Sequence, residues 1–310
     1  IGSEKNQGNT STPILRTGSI GGGGTNKSTG KIGNANITIY GGDIQAQFVM
    51  GASNDNTFNM KGGTIRNSNT SDDEYYCIQE NGGAVYVNLG SFTMEGGTIK
   101  KCVASSTDQD AKGGAIYIEG GSFTMSGGVI EQCSSNSDGG AIYLEGGNVT
   151  LTGGKISNNV ALNGNGGAVC IQGGNFTMSN DNDKYAKIVN NAAFDKNHSG
   201  TGNGGGIYVT SSEEFTVNLN SGTISGNSSG RYGGGVCVDM TGKGNITTTV
   251  NVGTNESAPA IDNNAATHKG GGIYVDGNKA SVNLNNGTVL QNQTTAYQIN
   301  PDVAVENGLV

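Results

Sequence analysis

The sequence predicts an all-β fold: a right-handed, single-stranded parallel β-helix of about nine to ten coils, with roughly three short strands in each coil. Two repeated phrases carry this prediction. The first, Gly-Gly-Ala-Ile-Tyr-Ile at 113–118, recurs with small changes from Gly82, Gly139, Gly166, Gly204, Gly233 and Gly270. The second, Ser-Phe-Thr-Met-Ser-Gly-Gly-Val-Ile at 122–130, recurs in the same way. Both alternate apolar and polar residues with the period of a strand, and no segment shows a helical period.

Each repeat ends on an aliphatic residue that aligns in a single column. Its members are separated by 21 to 37 residues, and they are Ile44, Ile65, Ile99, Ile130, Ile156, Ile188, Ile224, Ile261 and Val289. A single coil cannot bury its own aliphatic side chains, so the coils are expected to stack and to share one core. The right-handed sense follows the usual sense of parallel crossovers. We therefore expect residues 31–310 to form the β-helix and residues 1–30 to form a leader or an irregular cap. The extra lengths are expected in loops at 68–81, 179–187, 190–203 and 239–260.

The central residue of the first phrase is expected on the outer side of its strand, because neighbouring side chains alternate between the two faces. The predicted outer stripe consists of Tyr86, Tyr117, Tyr143, Tyr208 and Tyr274, with Cys170 and Cys237 at two positions. Two interpretations remain open. The rings stabilise the stacking of coils or lie under a loop, or else the stripe is a face that binds a glycan or a protein. A second outer column, of Thr and Asn, follows the middle of the second phrase.

A polar column lies three residues after the aliphatic column. Its later members are predicted to form a structural ladder of hydrogen-bonded amides, and they are Asn159, Asn191, Asn227, Asn264 and Asn292. Earlier coils have Ser68, Cys102 and Cys133 at this position. The two cysteines occupy adjacent coils, and we expect buried free thiols there rather than a disulfide.

Composition excludes several classes of function. The net charge is −8, and the 17 basic residues form no cluster, so nucleic-acid binding is not expected. No apolar run is long enough to insert into a membrane. We expect neither a cofactor nor a metal site. The acidic run at 72–74 offers a weak alternative, a Ca²⁺ site in a loop. His198 and His268 lack partners in any catalytic motif, and no paired carboxylates are evident, so we do not expect an enzyme.

The Gly-Gly-Ala-[Ile/Leu/Val] corners at 82–85, 113–116, 139–142 and 166–169 resemble those of adhesin-like and polymorphic-membrane-protein-like cell-surface proteins. The Phe-x-x-Asn element of the chlamydial members is not kept, since Phe123 is followed by Thr-Met-Ser. The resemblance implies an extracellular or cell-surface adhesin passenger or stalk. Its expected partners are a host glycan or a surface or matrix protein. One alternative is a protomer of an extracellular fibre that associates end to end, and another is a polysaccharide lyase or hydrolase.

Overall fold

The computed structural model describes residues 14–16, 29–32, 36–51, 53–66, 81–106, 110–181, 184–194, 200–295 and 302–306. Every regular element in these ranges is a β-strand. The same ranges contain no helix of the length and apolarity needed to cross a bilayer. The prediction of a leader or cap at 1–30 stays a prediction, because most of those residues lie outside the described ranges.

The strands form four parallel sheets that run along the stack of coils. The sheet built from the first phrase, here the tyrosine sheet, contains Thr29–Ile32, Gln47–Met50, Val85–Val87, Ile116–Ile118, Ile142–Leu144, Val169–Ile171, Ile207–Val209, Val236–Asp239, Ile273–Asp276 and Val303–Glu306. The sheet built from the second phrase, the phenylalanine sheet, contains Asn36–Ile39, Thr57–Met60, Ser91–Met94, Ser122–Met125, Asn148–Leu151, Asn175–Met178, Phe215–Leu219, Thr248–Val252 and Ala280–Leu284.

The other two sheets follow in the same coils. The isoleucine sheet carries the aliphatic column and contains Ile14–Arg16, Asp43–Gln45, Thr64–Arg66, Thr98–Lys100, Val129–Glu131, Lys155–Ser157, Lys187–Val189, Gly222–Ser225, Pro259–Asp262 and Thr288–Leu290. The short sheet contains Val103–Ala104, Ser134–Ser135, Val160–Leu162, Ala192–Phe194, Ser228–Ser229, Ala265–Ala266 and Gln293–Thr294. Asn180–Asp181 and Lys184–Tyr185 do not belong to these parallel sheets and form a separate antiparallel hairpin.

Equivalent residues of successive coils pair directly, which confirms the parallel β-helix. Ile116 pairs with Val85 on one side and with Ile142 on the other, and the same register continues along the tyrosine sheet. At about 4.8 Å per coil, ten stacked strands give a body roughly 45 Å long. The short sheet gives a coil a fourth strand, whereas the sequence predicted three strands per coil. Its strands are mostly two residues long, too short to show an alternating pattern in the sequence.

The interior of the coils is filled by the inward side chains of the first three sheets. Four phenylalanines stack along it, with ring centroids 4.7–4.9 Å apart between Phe48, Phe58, Phe92 and Phe123. The aliphatic column from Ile44 to Ile261 is fully or almost fully buried. Stacking identical side chains in register therefore gives each coil the same contacts above and below, as a shared core requires.

The asparagines of the polar column are buried and are linked by hydrogen bonds from coil to coil. Asn191 Oδ1 accepts from the backbone N and from Nδ2 of Asn159, both at 3.0 Å. Asn191 Nδ2 donates in turn to Asn227 Oδ1 at 3.0 Å and to the Ile156 carbonyl at 3.1 Å. The same pattern repeats down to Asn292, where Asp302 Oδ1 accepts the last bonds. The neighbouring Cys102 and Cys133 are buried free thiols.

The expectation of a loop at 239–260 was wrong. This segment contains Thr248–Val252, which pairs with Phe215–Leu219, and it also includes the start of Pro259–Asp262. The strand was not recognised in the sequence because this coil lacks the Phe-Thr-Met motif and has Thr-Val-Asn-Val at 249–252 instead. The predicted loop at 68–81 lies outside the described residues, apart from its last residue.

Candidate ligand-binding site

The tyrosines of the first phrase lie on the outer side of the tyrosine sheet, in a cluster separate from the core. Their rings stack along the body. The centroids of Tyr86 and Tyr117 are 5.2 Å apart with an interplanar angle of 7°, and those of Tyr117 and Tyr143 are 5.2 Å apart at 13°. The outward direction of the rings is as predicted, but the rings are largely covered, which agrees with the interpretation that they stabilise the stacking of coils. Tyr117, Tyr143, Tyr208 and Tyr274 are only 1–8% exposed, and Tyr86 is half-buried.

The double-glycine corner explains this burial. Gly113, the first glycine of its corner, has φ = 68°, and a Cβ there would lie 2.3 Å from the Ile116 carbonyl oxygen. Only glycine fits this left-handed bend, which turns the chain tightly over the start of the following strand. In two coils the residue before the glycine lies against the tyrosine ring of the next coil: Lys112 Nζ is 4.6 Å from the centroid of Tyr143, and Tyr232 stacks on Tyr274. The sequence shows the alternation that points the ring outward, but not the corner that covers it.

The hydroxyl groups of the rings are held by acceptors at the ends of strands in the next coil. Tyr86 donates to Glu119, Tyr117 to Glu145 and Tyr143 to Gln172. Tyr208 donates to Asp239 at 3.2 Å, and Tyr274 donates to Glu306 at 2.9 Å. Burial, together with the bond to Glu119, raises the pKa of Tyr86 to about 12. Burial also raises the pKa of the other four tyrosines above the usual value.

Two cysteines interrupt the row of rings, and burial raises the pKa of both thiols well above the usual range. At Cys237 the missing ring is replaced by Tyr232, the residue before the double glycine. The Tyr232 ring lies 4.5 Å from that of Tyr274 with an interplanar angle of 13°. The His268 ring packs against the Tyr232 ring in an edge-to-face arrangement, with the centroids 5.7 Å apart.

At Cys170 no other ring takes the place of the absent tyrosine. The residue before the double glycine here is Asn165, whose side chain bonds to Asp138 Oδ1 and supplies no ring. A pocket of about 270 Å³ lies at this position, with Tyr143, Cys170 and Tyr208 among its lining residues. These three residues pair in register on consecutive coils. They are only 1–8% exposed, so the pocket leaves little of their surface open to solvent.

Polar groups line the pocket. Lys112 Nζ donates to the Tyr143 hydroxyl at 3.0 Å and lies 4.6 Å from the centroid of that ring. Asp138, Asp239 and Lys243 are also among the lining residues. The pocket therefore combines two carboxyl groups with two amino groups. The sequence contained one signal for this site that we did not use: the residue before each double glycine, which is Tyr at 232 and Asn at 165.

The other sites predicted from the sequence gather no comparable set of groups. Within the described residues, no group of three or more His, Cys, Asp or Glu side chains is placed to hold a metal ion. The acidic run at 72–74 and His198 lie outside those residues, so the calcium alternative stays a prediction. A larger pocket of about 460 Å³ beside the hairpin is lined by Glu95, Ser126, Lys184, Tyr185, Lys187 and three glycines.

Comparisons with protein-family models, with curated proteins and with solved structures found no match to this chain. The resemblance to cell-surface β-helix proteins therefore depends on the glycine corners and the Ser-Phe-Thr-Met strands alone. A function has to be inferred from the geometry, namely a regular solenoid with a polar pocket beside Cys170 on its outer side.

Proposed function

We propose that this chain is an extracellular or cell-surface β-helix that acts as an adhesin passenger or stalk. The observation that carries the proposal is the polar pocket beside Cys170, lined among others by Lys112, Asp138 and Asp239, on the outside of a body built from closely repeated coils. A repeated scaffold that carries a polar pocket is typical of a protein that displays a binding site, and not of one that transmits a conformational change.

The rest of the outer surface supports the same proposal. The outer column of the phenylalanine sheet carries four threonines in adjacent coils, Thr93, Thr124, Thr150 and Thr177. Three asparagines follow, Asn218, Asn251 and Asn283, and their amides bond from coil to coil at 2.9 Å. These uncharged polar ladders hold the coils together while remaining partly exposed to water. They suit a soluble rod that keeps its ligand-binding part at a fixed position.

The proposal is tested by measuring the binding of the whole chain to panels of immobilised glycans and extracellular-matrix proteins. We expect saturable binding to at least one member of a panel, with heat-unfolded chain as the control for non-specific adsorption. Absence of saturable binding to every member of both panels would overturn the ligand-binding part of the proposal.

An extracellular fibre is the second candidate, favoured by the last described coil. Leu284, Leu290 and Val305 are 40–55% exposed there, on the final strands of three sheets. A further coil, from this chain or from another copy, would cover them. Filaments that lengthen with protein concentration in electron micrographs would support the fibre, whereas a monodisperse monomer at high concentration would count against it.

The expectation that the chain is not an enzyme also stays a prediction. The pocket at Cys170 brings Asp138 and Asp239 to one place, so the carbohydrate-active alternative has a concrete location to test. Incubation with neutral and acidic polysaccharides, followed by assays for new reducing ends and for unsaturated products, would decide the question. Product formation that is lost in Asp138→Asn would establish an enzyme.

A further inference from the structure

We propose that the pocket of about 460 Å³ beside the antiparallel hairpin, here the hairpin groove, binds one acidic sugar unit of a glycan. Lys184 and Lys187 would hold the acidic group, and the sugar ring would lie against Tyr185. The hairpin groove is separate from the pocket beside Cys170, so this inference adds a second site to the proposed function and is tested on its own variants. Three features carry it: the shape of the groove, its charges and its exposed ring.

The hairpin groove exists because the hairpin lies back over the corners of two earlier coils. The hairpin follows the strand Asn175–Met178, yet the groove also includes Gly154 of the preceding coil and Gly127 of the coil before that. Gly153 is buried, whereas the equivalent Gly127 is partly exposed. A Cβ at Gly153 would lie 3.4 Å from Lys184 Cβ, so the hairpin covers this corner. The hairpin therefore forms one wall of the groove, and the glycine corners form its floor.

Three lysines make one end of the hairpin groove positive. Lys184 and Lys187 line it, and Lys155 lies on the neighbouring strand in direct register with Lys187. All three side chains are exposed, and none of them forms an ion pair within the part of the chain that the structure describes. Like charges on paired strands repel each other, and a bound anion would reduce that repulsion. In a chain with a net charge of −8, this end is a local exception that favours an anionic ligand.

The carboxylates near the hairpin groove limit how much negative charge it accepts. Glu95 lines the groove and pairs with Lys61 at 3.9 Å. Asp181 lies opposite Lys184 in the hairpin, but it is not a lining residue. The four lysines of this region therefore face two carboxylates, one of them inside the groove. This arrangement suits a single acidic group at the lysine end, and it disfavours a densely charged polyanion.

Tyr185 favours a sugar over a simple anion. Its ring is 49% exposed and lines the hairpin groove. The electron-rich face of an exposed tyrosine attracts the C–H groups of a pyranose. The Ser126 hydroxyl, also in the lining, both donates and accepts hydrogen bonds, as sugar hydroxyls require. The volume of about 460 Å³ lies within the range of about 300–1,000 Å³ usual for ligand sites.

Calorimetry of the whole chain with four small probes tests the inference: methyl glucuronide, glucose 6-sulfate, methyl glucoside and inorganic sulfate. We expect at least one acidic sugar to bind about tenfold more tightly than methyl glucoside, because a charge-assisted hydrogen bond has that value. The acidic sugar that binds more tightly identifies the acidic group. Lys184→Ala and Lys187→Ala should each lower that affinity about fivefold or more. Lys279→Ala is the matched control, since it removes one exposed lysine elsewhere, and it should leave the affinity within about twofold.

Tyr185→Ala separates a sugar site from an anion site. It should lower the affinity for the acidic sugar about threefold or more and leave the affinity for inorganic sulfate unchanged. Equal binding of methyl glucuronide, glucose 6-sulfate and methyl glucoside would overturn the acidic class, and unchanged affinity in both lysine variants would overturn the location. Inorganic sulfate that binds as tightly as the acidic sugars would overturn the sugar class. Tighter binding of single-stranded DNA at the same lysines would overturn the glycan.

Discussion

The asparagine ladder makes a strong prediction about stability, tested by Asn191→Ala. The substitution removes the oxygen that accepts the Asn159 backbone N–H and the amide that donates to the Ile156 carbonyl. Asn159 and Ile156 are at most 2% exposed, so water does not reach these groups without rearrangement. Each buried group left unpaired costs about 1–3 kcal/mol, and two such groups predict a loss of about 2–6 kcal/mol in the free energy of unfolding.

The chain supplies a matched control in Asn218→Ala. Asn218 Oδ1 also accepts an amide from the next coil, Asn251 Nδ2 at 2.9 Å, but it lies half-buried on the outer surface. Water can replace that bond, so the expected loss is within about 0.5 kcal/mol. Urea unfolding followed by circular dichroism gives both free energies by linear extrapolation.

Hydrogen exchange gives a local measurement of the same effect. In Asn191→Ala the Asn159 N–H should lose protection before amides several coils away do, because nearest-neighbour contacts carry the stability of a solenoid. Equal free energies of unfolding for Asn191→Ala and Asn218→Ala, with Asn159 still protected, would refute the view that the inner ladder stabilises the stack.

Three further predictions concern other parts of the outer corners. The raised pKa of Tyr86, about 12 against about 10 in an unfolded chain, leaves stability unchanged below about pH 10 and lowers it as the pH rises towards 12. Phenolate absorbance and the thermal midpoint, recorded together across that range, test the sign. Gln132, at φ = 55°, adopts the left-handed conformation that Gly226 adopts at the equivalent corner, so Gln132→Gly should raise the free energy of unfolding by about 0.5–1 kcal/mol. The reverse control, Gly226→Ala, should be destabilised by the same measurement. The thiols of Cys170 and Cys237, with raised pKa values, should resist iodoacetamide at pH 8 in the folded chain, and rapid alkylation followed by mass spectrometry would contradict that.

The fold was predictable because its determinants are local and repeated. A strand period, a glycine corner and an aliphatic column each recur often enough to be aligned without a structure, and the spacing from Ile156 to Asn159 identified the ladder. The short sheet was missed because two residues carry no period. The strand at 248–252 was missed because its sequence differs from the motif of the neighbouring coils. In both cases the strand keeps its place in the sheet, but the residues that usually identify it in the sequence are absent.

The pocket could not be predicted for a different physical reason. The alternation in Val169–Ile171 places Cys170 outward, but burial at this position depends on the residue before the corner glycine and on the coils above and below. The cover over the two cysteines differs, because the residue before the corner glycine is Tyr232 in one coil and Asn165 in the other. That distinction requires knowing that the corner folds back over the strand, which only the three-dimensional arrangement provides.

Ring stacking along the tyrosine row is uneven. Tyr117 stacks on a ring on both sides, 5.2 Å from Tyr86 and from Tyr143, and each such contact is worth about 0.5–1.5 kcal/mol beyond the area that it buries. The cysteine positions forgo these contacts, and Tyr232 restores one of them beside Cys237. Tyr143 and Tyr208 are still held in place by bonds from their hydroxyls to Gln172 and Asp239 in the next coil. The row therefore keeps its register across a position without a ring, because the backbone pairing and the hydroxyl bonds fix each coil on the next.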